Sequence, residues 1–311
     1  MSLELPASVR IREVGPRDGF QNEPEVIPTA DKIRLSDELV RTGLERVEVT
    51  SFVRPDVIPQ LADAEQVLAS VNLPASVQAT VLVPNERGLD RALALRARFQ
   101  QVSGFLSASE THNWKNLNRS VAESLAELGL MIGRAHNEGL RTAAVISVSF
   151  GCPYEGRVEP ARVLELARHL IAAGAQEIGF ADTTGMANPV QVRTFFAAAR
   201  EALGETELTA HFHNTRGQGL ANVLAALEAG CESFESSFGE IGGCPVPAGA
   251  TGNIATEDLV SMLREMGIET GIDLDALLVV TRHLAERLGR PLGSHTLLAG
   301  PISWSGPPQT T

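Results

Sequence analysis

Short apolar runs alternate along this chain with longer stretches whose apolar residues recur every three or four positions. The runs "VRIREV" (9–14), "RVEVTSF" (46–52), "VQATVLV" (77–83), "QQVSGFLSA" (100–108), "RTAAVISVSF" (141–150), "QEIGFAD" (176–182), "LTAHFH" (208–213) and "SFESSF" (233–238) have strand length. Each precedes a helix-period stretch such as "PTADKIRLSDELVRTG", "EPARVLELARHLIAAG" or "GQGLANVLAALEAG". That alternation favours parallel strands joined by helical crossovers. Gly43, Gly139, Gly174 and Gly230 stand just past helical patterns, where glycine accepts the left-handed backbone of a helix stop. Eight such units are the number that closes a TIM barrel. An open doubly wound sheet has the same periodicity, but no GxGxxG follows the first run and no P-loop motif is present. Two further helical segments, "TEDLVSMLREMG" and "LDALLVVTRHLAERLG", are expected outside the barrel. The expectation is an α/β fold, a (β/α)8 TIM barrel with extra C-terminal helices. Residues 1–300 would form a single catalytic domain and 301–311 a flexible tail.

Composition narrows the partners. With 311 residues, 43% of them hydrophobic, the chain can bury a large core. A formal net charge of −12 argues against non-specific binding to nucleic acid or anionic membranes. The three cysteines, Cys152, Cys231 and Cys244, are too few and too scattered for a disulfide framework. The start "MSLELPASVR" lacks the apolar core of a signal peptide, and stretches such as "AAVISVSF" are too short to span a bilayer. A soluble cytoplasmic protein is expected.

In a TIM barrel the chemistry sits at the C-terminal ends of the strands and in the loops that follow. After the first run, "GPRDGFQNE" places Arg17 and Asp18 at the mouth, either as functional groups or as a charged turn closed by Gly19. In the second, period-two alternation turns Glu48 inward, where a carboxylate needs a partner. The sixth ends at Asp182, a candidate catalytic acid or an ordinary helix cap. The seventh ends in "HFHN", with His211 and His213 on one face and Phe212 on the other. Two imidazoles on one face can ligate one cation, or they can be core histidines. After the eighth comes a loop holding Cys244 and ending at Asn253, which offers a neutral oxygen or serves as a turn asparagine. An acid, two imidazoles and an amide oxygen without a thiolate suit a six-coordinate Mg²⁺ or Mn²⁺ better than structural zinc. Such a cation with Arg17 would stabilise a developing enolate.

These stretches together resemble the 3-hydroxy-3-methylglutaryl-CoA lyase family of metal-dependent TIM-barrel lyases. The resemblance runs roughly from Val9 to Gly271 and is carried by "EVGPRDGFQNE", "VEVTSFV", "GCPYEG", "HFHNTRGQGLAN" and "GGCPVPAGATGNIATEDLV". It implies retro-Claisen cleavage of a 3-hydroxyacyl-CoA to acetyl-CoA and an oxo acid such as acetoacetate. That reaction belongs to leucine degradation and ketone-body formation. It implies Asp18, His211, His213 and Asn253 as ligands of a divalent cation, and Arg17 as the stabiliser of the acetyl-CoA enolate. Glu48 would support Arg17, Asp182 would exchange a proton with His211, and Cys244 would be a loop acid that protonates the product carbon. Lys115 and Asn116 would meet the CoA portion, and the assembly would be a homodimer.

The chain also departs from the family pattern. It reads Phe20 where "DGLQNE" is usual, Asn214 and Arg216 where "HDTYGQ" is usual, and Gly179 where "SLGDT" has a serine that helps hold the carboxyl end of the substrate. Glu240 stands where a glycine or small apolar residue is usual. A citramalyl-CoA-type substrate therefore stays open. So does a condensing synthase of the isopropylmalate or homocitrate type, towards which Asn214 leans and against which the "GGCP" loop speaks. Cys152, in the short turn "GCPYEG", is expected to pack or line the pocket rather than react.

Overall fold

The computed structural model describes residues 5–243 and 251–304. Eight parallel strands close in sequence order into one barrel, β1 pairing with β8. They are β1 Arg10–Glu13, β2 Arg46–Ser51, β3 Gln78–Leu82, β4 Gln101–Ser107, β5 Arg141–Ser147, β6 Glu177–Asp182, β7 Glu207–Phe212 and β8 Ser233–Ser236. The helices around them are α1 Thr29–Val40, α2 Ala64–Ser70, α3 Glu86–Leu93, α4 Glu110–Leu117, α5 Val121–Asn137 and α6 Pro160–Ala172. They continue with α7 Pro189–Leu203, α8 Gly219–Leu227, α9 Thr256–Glu265, α10 Leu274–Leu288 and α11 His295–Ala299. No helix among the described residues is long and apolar enough to cross a membrane.

Strand alternation divides two environments. Val47, Val49, Ala144, Ile146, Ile178, Phe180, Ala210 and Phe212 point outward beneath the helices and are at most 1% exposed. This shell between sheet and helices is the apolar core. The lumen is instead filled by polar side chains, among them Arg12, Thr80, Gln101, Glu177, Thr209 and Glu235, all buried. At its floor Glu207 gathers Arg46 at 2.5 Å, Arg141 at 3.0 Å and Arg10 at 3.4 Å.

Two details differ from the sequence-based expectation. The fifth strand stops at Ser147, because Val148 turns the chain with a φ of 52°, a conformation that a β-branched residue rarely takes. The segment "TEDLVSMLREMG" is not an appendage: it forms α9, the helix of the eighth unit, which follows β8 after a 3-10 turn at Phe238–Glu240 and a loop. The additional C-terminal helix α10 docks on α1. His283 Nδ1 lies 2.8 Å from Glu38 Oε2 and Arg287 Nε 2.6 Å from Asp31 Oδ2, while Asp273 N donates to Thr42 O at 2.7 Å.

That docking depends on Gly43, the turn after α1. Its φ is 92°, and a Cβ there would lie 2.2 Å from the carbonyl oxygen of Gly271. Gly43→Ala therefore meets both backbone strain and a clash, and a loss of about 1–3 kcal/mol is expected. A lowered urea midpoint at unchanged slope checks this; an unchanged midpoint refutes the docking argument.

Candidate active site

β1 delivers the first two site residues through a single π-helical turn, Gly15–Gly19, in which Asp18 N donates to the Val14 carbonyl at 2.6 Å. The turn sets Arg17 and Asp18 side by side at the mouth. Arg17 Nη1 donates to Asp18 Oδ1 at 2.6 Å, and Arg17 Nε donates to Glu48 Oε2 at 2.5 Å. Glu48 points inward from β2, as alternation requires, and its partner is Arg17. Burial pushes the Glu48 carboxyl up, with Arg17 opposing. Burial also disfavours the charge on Arg17, but Glu48 and Asp18 outweigh it and hold the guanidinium firmly protonated.

β7 carries His211 into the lumen, and His213 follows just beyond its end. Their Nε2 atoms face one another at 3.0 Å. Asp18, His211 and His213 each offer a ligand atom, and these atoms lie within 4.8 Å of one another. Asn253 is brought beside them by backbone pairing: Asn214 N donates to Gly252 O at 2.8 Å and Ile254 N to Phe212 O at 3.1 Å. Its Nδ2 donates to Asp18 Oδ2 at 2.8 Å and to Ile241 O at 3.1 Å. Two acceptors fix that end as the nitrogen, so Oδ1 is left buried without a partner. The loop stem must pass close by: a Cβ on Gly242 would lie 2.5 Å from Asn253 Nδ2.

Electrostatics ready this set for a cation. Burial raises Asp18, yet Arg17, His211 and His213 outweigh it and keep its carboxyl below the ordinary range. Burial and the neighbouring His211 push His213 down to about 3, so its ring is neutral and keeps a lone pair. Burial opposes charge on His211, but Glu235 prevails and raises it. A carboxylate, two imidazoles and a partnerless amide oxygen fit a hard divalent cation with positions to spare.

The other expected residues are arranged around this cluster. Asp182, at the end of β6, accepts from Met186 N at 2.7 Å and Ala187 N at 3.1 Å through Oδ1, while its Oδ2 is buried without a partner. Burial pushes it up to about 6, against those N–H groups. Lys115 and Asn116 lie on α4, and their contacts are elsewhere. Lys115 Nζ sits 4.9 Å from the Tyr154 ring centroid, and Asn116 Nδ2 is 3.3 Å from His112 Nδ1. Cys244 lies outside the described residues. Cys152 is fully buried, with Sγ 3.1 Å from Ser109 Oγ, which agrees with a packing role.

Two lumen residues escaped the sequence reading. Glu235 on β8 contacts His211, and Arg12 on β1 contacts Glu235. The signal was available, since alternation in "VRIREV" and "SFESSF" turns both inward.

A family model described as HMGL-like matches residues 8–284. The hydroxymethylglutaryl-CoA lyase YngG of Bacillus subtilis is 44% identical over 295 residues, covering 95% of this chain and 98% of that one. The (R)-citramalyl-CoA lyase of Chloroflexus aurantiacus is 41% identical over 305 residues, covering 95% and 96%. A crystal structure of the B. subtilis HMG-CoA lyase superposes with a TM-score of 0.92 at 44% identity, over 94% of this chain and 98% of that one. An HMG-CoA lyase from Acinetobacter baumannii, in complex with coenzyme A and 3-methylmalate, superposes with a TM-score of 0.92 at 40% identity, over 97% and 98%. Matched in sequence and in fold along nearly its whole length, the chain belongs to the HMGL-like family.

Proposed function

We propose that this chain is a divalent-metal-dependent carbon–carbon lyase. It cleaves 3-hydroxy-3-methylglutaryl-CoA, or a close 3-hydroxyacyl-CoA, to acetyl-CoA and an oxo acid such as acetoacetate. The observation that carries the reading is the convergence of Asp18, His211 and His213 beside the paired Arg17–Glu48. Asp18, His211, His213 and Asn253 would hold Mg²⁺ or Mn²⁺. When bound, the cation supplies Lewis-acid polarisation of substrate oxygens.

The residues divide the remaining work. Asp182 Oδ2, buried and free, takes the hydroxyl proton of the substrate. The C–O bond becomes a carbonyl, the adjacent C–C bond breaks, and its electron pair passes to the thioester as an enolate. Arg17 lies where that negative charge grows, held by Glu48 and Asp18 so that no reorientation is needed. Cys244 then gives the enolate carbon its proton, a role that rests on the family resemblance. A thiol with a reference pKa of about 8.5 is mostly protonated at neutral pH and suits that task. Lys115 and Asn116 take the CoA portion. Residues 1–300 act as one catalytic domain, in a cytoplasmic homodimer; the acidic charge and sparse cysteines are consistent with that setting.

A citramalyl-CoA-type substrate is a second reading, favoured by Gly179. This residue faces the lumen on β6, and a Cβ there would lie 3.1 Å from Val145 Cγ2. Gly179 and Val145 offer no side-chain donor to a carboxyl group projecting towards that wall. The test is a panel of 3-hydroxyacyl-CoAs with Mg²⁺, Mn²⁺ or chelator, reading acetyl-CoA and the oxo acid formed. Fastest release of acetoacetate from 3-hydroxy-3-methylglutaryl-CoA is expected. Fastest release of a 2-oxo acid from citramalyl-CoA would favour the second reading. Free CoA appearing from acetyl-CoA and a 2-oxo acid, with no cleavage of any panel member, would make the chain a synthase instead.

A further inference from the structure

We infer that Glu235 is a positioning residue for His211, and that Arg12 holds Glu235 in place. The two carboxylate oxygens of Glu235 are divided between two partners. Oε2 lies 2.9 Å from His211 Nδ1, and Oε1 accepts from Arg12 Nη1 at 2.8 Å. An ionised carboxylate accepts and cannot donate, so Nδ1 of His211 carries the hydrogen in that contact. In the neutral ring this leaves Nε2 as the lone pair, aimed at the point that His213 Nε2 also faces. Without Glu235 the ring can carry its hydrogen on either nitrogen and can turn about its side-chain bonds.

Arg12 makes the arrangement rigid. Its Nη2 donates to Glu177 Oε2 at 2.7 Å and to Gln101 Oε1 at 2.9 Å. Gln101 Nε2 donates to the same Glu177 oxygen at 2.8 Å, Thr209 Oγ1 donates to Glu177 Oε1 at 2.7 Å, and Thr80 Oγ1 donates to Gln101 Oε1 at 2.9 Å. All of these side chains are buried, and Arg12 is 1% exposed. A guanidinium hydrogen-bonded through both terminal nitrogens to side chains from three strands is held in orientation. The two histidines are therefore unequal. His213 Nδ1 is buried without a partner, so no second contact of this kind sets its ring. His211 is the pre-set ligand and His213 the one that adapts.

The inference rests on the proposed metal ligation by His211, but on no particular substrate. Its test uses the full-length protein, ¹⁵N-labelled at histidine and freed of metal. At alkaline pH, where the ring is neutral, a long-range ¹⁵N–¹H spectrum, assigned by comparison with His211→Asn, is expected to show the Nδ1–H form at His211. The opposite form overturns the inference, and this reading needs no variant at Glu235. Mn²⁺ affinity, read by paramagnetic resonance of the free ion, is expected to fall about 10- to 100-fold in Glu235→Gln. An unchanged affinity with the wild-type tautomer overturns the positioning role while leaving the metal ligands standing. Wild-type protein that binds no Mn²⁺ overturns both. A thermal melt in chelator separates loss of affinity from loss of fold.

Discussion

His213→Ala is expected to lower metal-dependent turnover by about 10³-fold or more. His213 is 4% exposed and its ring stays neutral down to about pH 3, so across the working range it presents a lone pair and no charge. Truncation removes one of two nitrogen donors and leaves Asp18 and His211 as the remainder of the three converging ligand atoms. A bound cation contributes several kcal/mol to stabilising developing charge, and about 4 kcal/mol corresponds to that factor. The check is turnover across a Mg²⁺ and Mn²⁺ titration. A partial return at high metal is consistent with a weakened site. Undiminished turnover at low metal would refute the ligand assignment.

Arg17→Gln is the second large effect. The guanidinium is shared by Asp18 and Glu48, with Glu48 only 2% exposed in its side chain. A neutral amide leaves two buried carboxylates uncompensated, and breaking a buried pair costs about 3–5 kcal/mol of stability. Catalysis should fall by about 10²–10³-fold, the usual cost of removing one donor aimed at an oxyanion. Because Arg17 acts on charge that exists only in the transition state, kcat and kcat/KM should drop together. Arg17→Lys keeps the charge but cannot span both carboxylates, so it should recover only part of the loss. A raised KM at unchanged kcat would instead make Arg17 a simple binding residue.

Much of this site is readable before any fold is known, because strand alternation is local. It turns Glu48, His211 and His213 inward, and the β–α rhythm puts Asp18 and Asp182 at the mouth. Asn253 is different: its place depends on pairing between the segment 252–254 and the end of β7, which no local pattern announces. The partners of Arg12 are harder still. They come from β4, β6 and β8, as far as 223 residues away, and alternation says only that each side chain points inward. Glu13 shows the limit from the other side. It points outward into the sheet–helix layer, yet accepts from Gly15 N, Phe238 N and Thr256 Oγ1 there, where an apolar residue would be expected. Resemblance assigned roles to residues, but the hydrogen bonds that hold them in register come from contacts between distant strands.

The polar lumen bears on how such a barrel can be divided. Arg12 in the first quarter of the strands pairs with Glu177 and Glu235 in the second half, and Glu207 in β7 draws arginines from β1, β2 and β5. A barrel filled with interchangeable aliphatic layers can be cut in two and leave halves that each keep a greasy interior. Cut between β4 and β5, this one leaves Arg10, Arg12 and Arg46 on one fragment and Glu177, Glu207 and Glu235 on the other, where only Arg141 stays with Glu207. Each half then carries charges of one dominant sign facing its own interior, where they are costly without partners. The same imbalance makes the halves complementary, so that co-expressed fragments have an electrostatic reason to reassemble with each other rather than with copies of themselves.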